Sequence, residues 1–262
     1  MAPAFSKAEN VPGSFSKEGH RILFVLFLLL FLIVGVRLIF RSPNLSSGHW
    51  PEGLFLLVTT AYSLSIMAHE LPFQNVLAAS VLIALFSGTS EWLAVRSHSI
   101  FDYAPTVAVA WAAPCFWVVA VLNARNAARL TLIHRSDSSF HGLWLLGLGI
   151  LLAAVFRIGL GSFCTTCRAA SPASLSWPIA LYSAITAALG HVVASPWLID
   201  KRPIDTKPPF QPLTIWLLLN LLLITASLIT LSWTITVILA LTNVPMLCLA
   251  LMGRYLKKAE IR

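Results

Sequence analysis

The sequence predicts an all-α protein, a polytopic membrane helical bundle of about eight transmembrane helices, and three observations support this class. Hydrophobic residues make up 58% of the 262 residues and charged residues only 11%, about half the charged fraction of an ordinary soluble domain. The hydrophobic residues also form long uninterrupted runs, and about 20 such residues cross a bilayer as a helix. Finally, the basic residues gather between alternate runs, as in membrane proteins with a defined orientation.

The apolar runs define the predicted crossings. The first four cover residues 22–40, 53–68, 71–95 and 105–122, and the next two cover 143–163 and 175–199. Residues 200–212 contain four prolines and alternating charges, which predict a loop. The last run, 213–252, is too long for one crossing at about 1.5 Å per residue. It therefore divides near residues 227–232 into the seventh and eighth segments.

Both ends of the chain are polar, and the charges predict an orientation. Residues 1–20 are predicted to be disordered, 21–253 to form a single bundle domain, and 254–262 to form a basic cytoplasmic tail. With both termini cytoplasmic, 13 of the 18 Lys and Arg residues lie inside, including those of a polar stretch with Arg125, Arg129 and Arg135. The net charge of +8 does not indicate nucleic-acid binding, because the basic residues form no stripe interleaved with aromatics.

Glu91 is the strongest candidate for chemistry, because ionisable side chains within apolar helices are costly and usually functional. Desolvation favours the neutral form of a carboxyl group, and a neutral carboxylic acid can donate a proton to a substrate. The alternative is structural. In that interpretation Glu91 forms an ion pair with Arg96, or with Arg157 of the fifth run, and fastens helices together.

Other polar residues carry weaker hypotheses. In the stretch between the third and fourth runs, Asp102 or His98 is a candidate second acid or base, and a solvated turn is the alternative. His191 lies within an apolar run, where it either lines a cavity or forms a structural hydrogen bond. Asn220 and Asn243 lie in the last two runs, where amide side chains bond across helices.

The sequence predicts no metal and no cofactor. Cys164 and Cys167 have C-x-x-C spacing, but a single pair without a nearby His does not complete a zinc site, and a disulfide is the alternative. No Lys lies within a predicted helix, which excludes a retinal Schiff base. Aspartate-rich diphosphate motifs, clustered histidine boxes and phosphate-binding glycine loops are all missing from the sequence.

The stretch EWLAVRSHSIFDY, residues 91–103, resembles the carotenoid biosynthesis proteins that include the 1,2-hydratases of acyclic carotenoids such as lycopene and bisanhydrobacterioruberin. Their pattern has a Glu in a helix, then Val-Arg-Thr-Gly, then Phe-Gly-x-Tyr-x-Tyr, where this chain has Ser97-His98 and a shorter aromatic step. The chain has a looser likeness to small membrane-bound terpene cyclases. The resemblance implies a catalytic role for Glu91 and substrate-binding roles for Arg96, Phe101 and Tyr103. The chemistry itself suggests Asp102 as a second catalytic residue and Trp92 and Trp111 as further substrate-binding residues.

Together these features predict a multi-pass integral membrane enzyme that protonates a C=C bond of a terpenoid or carotenoid. Glu91 would deliver the proton, and aromatic faces would stabilise the cation. Capture by water held at Asp102 gives a hydratase, whereas capture by an internal double bond gives a cyclase. The predicted partners are the isoprenoid substrate, membrane lipid and neighbouring enzymes of the same pathway. The alternative is a non-enzymatic transporter or membrane assembly subunit with an ion network of Glu91, Arg96 and Arg157.

Overall fold

The computed structural model describes residues 17–40, 50–96, 112–132, 140–168, 177–198 and 211–259. These residues form eight α helices and no strand, which confirms the all-α class. In chain order the helices are α1 Lys17–Phe40, α2 Trp50–Glu70, α3 Phe73–Arg96, α4 Ala112–Thr131, α5 His141–Arg168, α6 Trp177–Ala194, α7 Gln211–Ile229 and α8 Trp233–Ala259. A short 3₁₀ turn, Ser195–Trp197, continues α6.

Helix α4 lies at the centre of the bundle and packs against α2, α3, α5, α6, α7 and α8. Every residue from 116 to 128 on α4 is buried. A column of aromatic rings crosses this core, since Phe156 of α5 stacks on Phe116 at 5.4 Å and meets Trp216 of α7 at 5.2 Å between ring centroids. Helix α1 is peripheral and packs mainly on α2.

Side-chain contacts show how the helices alternate in direction. His20, near the start of α1, hydrogen-bonds to Ser65 near the end of α2 and to Gln211 at the start of α7. At the other end of α1, Arg37 pairs with Glu52 near the start of α2 at 3.2 Å. We call the end of the bundle where α1 and α7 begin the N-terminal end, and the other the opposite end.

Five helices are long and apolar enough to cross a membrane: α1, α2, α3, α5 and α6. Helices α7 and α8 contain shorter apolar segments. Large apolar side chains cover the outer surface, and Leu32 and Ile39 of α1 are both 60% exposed. An apolar surface of this kind is compatible with lipid and unusual for a protein in water. The predicted eight crossings and the cytoplasmic termini stay predictions.

The sequence prediction is wrong about the fourth helix. Helix α4 does not end at residue 122 but continues to Thr131, so Arg125 and Arg129 belong to it and not to a polar connection. Hydropathy ends a segment where charges begin, whereas α4 extends because neighbouring helices cover its polar turns. Residues 105–111 and Arg135 lie outside the described residues.

Other boundaries differ by a few residues. Helix α1 begins at Lys17, within the segment predicted to be disordered, and α8 continues to Ala259, into the predicted tail. Helix α6 ends at Ala194, and α7 begins at Gln211, before the predicted end of the proline-rich loop. Residues 1–16, 199–210 and 260–262 lie outside the described part of the chain.

The predicted division of the last apolar run is confirmed, because α7 ends at Ile229 and α8 begins at Trp233. Between them Leu231 has a φ of 54°, and the Ser232 amide donates to the Ser227 carbonyl at 2.8 Å. This is the left-handed helix ending that glycine favours.

Replacing Leu231 by glycine should therefore stabilise the protein by about 1 kcal/mol, because a left-handed φ costs an L-residue roughly that amount. Leu231 is 71% exposed and loses little packing. The free energy of unfolding is measured by SDS titration. Leu241→Gly, at an exposed position inside α8, is the control. It should lower the free energy of unfolding by about 1 kcal/mol. A destabilising Leu231→Gly would contradict this description of the turn.

Candidate functional site

The carboxylate of Glu91 is buried and paired with an arginine from another helix. Glu91 lies five residues before the end of α3 and is 6% exposed, and Arg157 of α5 is 5% exposed. The Arg157 Nε–H donates to Glu91 Oε2 at 3.0 Å, and Nη2 donates to Oε1. The guanidinium thus binds both carboxylate oxygens, and this bidentate geometry is the strongest for an arginine–carboxylate pair.

A third helix contributes a hydroxyl to this site. The Tyr182 hydroxyl of α6 donates to Glu91 Oε2 at 3.2 Å. We call Glu91, Arg157 and Tyr182 the Glu91 cluster. The cluster joins α3, α5 and α6 in the half of the bundle nearer the opposite end. A carboxylate and a guanidinium compensate each other's charge, so the cluster as a whole is neutral and tolerates burial.

Small residues bring α3 into close contact with α6 and α4. One turn before Glu91, the Ser87 hydroxyl donates to the backbone carbonyl of Thr186 on α6 at 3.2 Å. A Cβ atom at Gly190 would lie 2.6 Å from that hydroxyl oxygen. A Cβ atom at Gly88 would lie 2.9 Å from the ring of Pro114 on α4. Glu91 is therefore held on a rigid, closely packed part of α3.

The contacts of the Glu91 carboxylate bear on the proton-donor role predicted for it. The pairing with Arg157 is the one that the structural alternative named. Both oxygens of Glu91 accept hydrogen bonds, from Arg157 and Tyr182. The proton-donor role predicted for Glu91 stays a prediction.

The other predicted site residues are only partly described. Trp92 and Arg96 lie on the last turns of α3, and their side chains are outside the described residues. The same holds for the whole of the connection between α3 and α4, with His98, Phe101, Asp102, Tyr103 and Trp111. Glu91 is thus the one predicted site residue whose side-chain contacts the structure describes, and the catalytic roles of all of them stay predictions.

Sequence reasoning missed Tyr182. The signal for it was the pattern of α6, where Ser183, Thr186 and His191 lie on the buried side of an apolar helix. Polar residues that share one side of an apolar helix indicate a polar neighbour on another helix. The tyrosine lies directly before this set and reaches the buried carboxylate.

The prediction that Asn220 and Asn243 form hydrogen bonds across helices is confirmed. Asn243 Nδ2 donates to Asn220 Oδ1 at 3.1 Å, and the indole N–H of Trp216 donates to Asn243 Oδ1 at 2.9 Å. These bonds lie near the middle of α7 and α8 and connect the two helices. The structural role that the sequence predicts for these residues agrees with these contacts.

Other residues singled out by the sequence lie apart from the Glu91 cluster. At the N-terminal end, Arg129 of α4 pairs with Glu70 of α2 at 2.9 Å. Cys164 and Cys167 both belong to α5, with their side chains outside the described residues. Within the described part of the chain no group of three or more His, Cys, Asp or Glu residues could hold a metal ion.

The fold and the cluster together define a bundle of apolar helices with a buried, charge-compensated polar centre. No family model, curated protein or solved structure matches the chain.

Proposed function

We propose that the chain is an integral membrane enzyme that hydrates a carbon–carbon double bond of an apolar isoprenoid. The position of Glu91 carries the proposal. The residue on which the resemblance to carotenoid hydratases depends also lies in a buried ion cluster. It lies six residues before the α3–α4 connection, which holds His98, Phe101, Asp102 and Tyr103 of the motif. Ionisable residues inside apolar bundles usually have a function.

In this proposal Glu91 takes the role of base, in place of the acid role that the sequence suggested. A protonated acid, for which Asp102 is the candidate, adds its proton to one carbon of the double bond and leaves a tertiary cation on the other. The oxygen of a water molecule then bonds to the cation, and the water's proton passes to the Glu91 carboxylate. Return of that proton to the acid completes the cycle, so the net reaction is alkene plus water giving a tertiary alcohol.

Two features support this assignment. A carboxylate near the cation stabilises it electrostatically in an apolar site, where charges interact strongly. The α3–α4 connection also supplies aromatic residues, including Phe101, Tyr103 and Trp111, whose ring faces attract cations. If the site excludes water, an internal double bond captures the same cation, and the product is a ring.

A second candidate function is non-enzymatic, as a transporter or membrane assembly subunit. The bidentate contact favours it, because Arg157 already occupies both oxygens of Glu91. In that case the Glu91 cluster only fastens α3, α5 and α6 together.

Expression in cells that make a panel of acyclic terpenoids and carotenoids distinguishes the two. With the wild type we expect a product heavier than its precursor by one water molecule, seen by mass spectrometry of lipid extracts. With Glu91→Gln we expect that product to fall at least about a hundredfold, as for loss of a general base.

The matched control is Glu52→Gln, which removes a carboxylate from the Arg37 pair and should keep the product. A product of unchanged mass but altered retention would indicate cyclisation. Absence of any new product, with the wild type well expressed in the membrane, would favour the non-enzymatic function.

A further inference from the structure

Trp117 of α4 carries a buried hydrogen-bond donor without a described acceptor. Its side chain is 0% exposed, and its Nε1 atom has no hydrogen-bond partner within the described ranges. By contrast, Trp216 of α7, which is also buried, donates its Nε1–H group to Asn243 at 2.9 Å. Buried donors are nearly always paired, either with protein or with an ordered water molecule. Trp117 therefore indicates a nearby acceptor.

Thr186 of α6 carries a second buried group of this kind. It is 0% exposed, and its hydroxyl oxygen accepts no hydrogen bond from the residues that the structure describes. Two other buried hydroxyls, of Thr59 and Ser183, donate to the carbonyl four residues earlier. The Thr186 hydroxyl instead lies beside that of Tyr182, one turn earlier on α6, which donates to Glu91. The lone pairs of the Thr186 oxygen are therefore available to a ligand.

Two contacts of α4 locate the indole of Trp117 where α3, α4 and α6 meet. Three residues before Trp117, the ring of Pro114 lies against Gly88 of α3, 2.9 Å from where a Cβ atom would be. Four residues after it, Val121 lies against Gly190 of α6, 3.1 Å from the corresponding position. Residues three and four apart share one face of a helix. Trp117 therefore faces the junction with α3 and α6, between these two contacts.

Thr186 lies at the same level on α6. It precedes the α4–α6 contact by four residues, as Trp117 does, and both helices run toward the N-terminal end of the bundle. The Ser87 hydroxyl of α3 donates to the Thr186 carbonyl at 3.2 Å, and Glu91 follows Ser87 by one turn. Trp117 and Thr186 therefore lie at the same junction of helices as Glu91.

We propose that Trp117 and Thr186 bind a single water molecule beside the Glu91 carboxylate, and that this water adds to the cation. The Trp117 Nε1–H group donates to the water oxygen, and the water donates to Thr186 Oγ and to Glu91 Oε1. A carboxylate oxygen accepts two hydrogen bonds, and Oε1 accepts one from the described residues, donated by Arg157. Buried water molecules typically make about three hydrogen bonds, which these partners supply.

The catalytic part of the inference rests on the proposed hydration. The remaining lone pair of the water oxygen forms the bond to the cationic carbon, and the proton directed at Glu91 passes to its carboxylate. The product is then a neutral tertiary alcohol. Without the bound water, an internal double bond attacks the cation or the cation loses a proton, and both outcomes give products of unchanged mass. Trp117 and Thr186 thus determine the product.

The stability of Thr186→Val tests whether the site binds water. Valine has nearly the shape of threonine but offers the water no partner, so we expect the Tm of the purified protein in detergent to fall by roughly 3 °C. Thr59→Val is the matched control and should leave the Tm nearly unchanged, because the hydroxyl of Thr59 only adds a bond to a helix carbonyl. If Thr186 has no ligand, valine removes an unpaired buried hydroxyl and stabilises the protein. An unchanged or raised Tm would overturn the proposal.

The product ratio tests the role of the water. We expect Thr186→Val and Trp117→Phe each to lower the ratio of hydrated product to products of unchanged mass about tenfold, through loss of one hydrogen bond. Trp216→Phe is the matched control for the indole and should keep the wild-type ratio. The ratio does not depend on how much folded protein each variant yields, so a purely structural role would not change it.

Failure of this inference is distinguishable from failure of the proposed function. If the wild type gives the hydrated product, Glu91→Gln loses it, and Thr186→Val and Trp117→Phe keep the wild-type ratio, the hydration stands and the role of the water is overturned. If the wild type gives no product, the hydration and the role of the water fail together. The Tm of Thr186→Val then decides whether the site binds water.

Discussion

Replacing Glu91 by leucine should lower the free energy of unfolding by about 3–5 kcal/mol, because it leaves the buried Arg157 guanidinium without its counter-ion. The double variant Glu91→Leu/Arg157→Leu should recover most of this loss, since it removes both charges and replaces them with apolar groups. SDS unfolding titrations of the two single variants and the double variant form a double-mutant cycle that isolates the pair.

One outcome of the double-mutant cycle would contradict the buried pair of Glu91 and Arg157. If Glu91→Leu costs less than about 1 kcal/mol, as an exposed ion pair would, Glu91 and Arg157 do not form the buried pair described. Glu52→Leu at the partly exposed Arg37 pair is the control for loss of a carboxylate in the same half of the bundle, and it should cost about that smaller amount.

The double-mutant cycle also distinguishes a structural role of the Glu91 cluster from a catalytic role. If the Glu91 cluster only holds helices together, the stable double variant should keep whatever biological activity the protein has. If Glu91 acts as a base, the double variant should be folded and inactive. Combined with the Glu91→Gln product assay, this result distinguishes a folding defect from the loss of a catalytic group.

Gly88→Ala should lower the free energy of unfolding by about 2 kcal/mol, through overpacking between α3 and α4. The added Cβ atom would meet Pro114 at 2.9 Å from Cγ and 3.0 Å from Cα. Neither atom can move cheaply, because one belongs to a rigid ring and the other to the backbone. Gly88 lies three residues before Glu91, so the same change should also displace the carboxylate and weaken its pair with Arg157.

The control for Gly88 is Gly147, which lies within α5 and has no atom within 4 Å of the position of an added Cβ. Gly147→Ala should stabilise the protein by about 0.5–1 kcal/mol, because alanine restricts the unfolded chain and favours the helix. Thermal unfolding of both variants measures the difference. A Gly88→Ala variant as stable as Gly147→Ala would mean that α3 and α4 are not in close contact at Pro114.

Several features of the fold were predictable because they depend on residues close together in the sequence. The long apolar runs indicate helices that avoid water, and the prolines of residues 200–212 indicate a break. The division between α7 and α8 follows from length alone, since about forty apolar residues exceed one crossing. The Asn220–Asn243 bond was predictable because an amide in an apolar helix has few partners other than another buried polar group.

Hydropathy failed at α4 for a physical reason. Arg125, Asn126 and Arg129 raise the free-energy cost of burying this part of α4. A prediction from local hydropathy therefore ends the helix before them. The structure buries Arg125 and Asn126 at the centre of the bundle, where packing by six neighbouring helices holds α4 in place. The least apolar of the described helices, α4, is therefore the central one, and only tertiary contacts could assign it that position.

The sequence by itself determined the all-α class of the protein, most of its helices and the place of Glu91 within an apolar helix, because composition and spacing show what each residue costs to bury. Only the tertiary structure decided which residue compensates that cost. Arg157 is 66 positions from Glu91 in the sequence, and Tyr182 is 91 positions away. Hydropathy does not specify which helices become neighbours, so the contacts of Glu91 with Arg157 and Tyr182 required the packing of α3, α5 and α6.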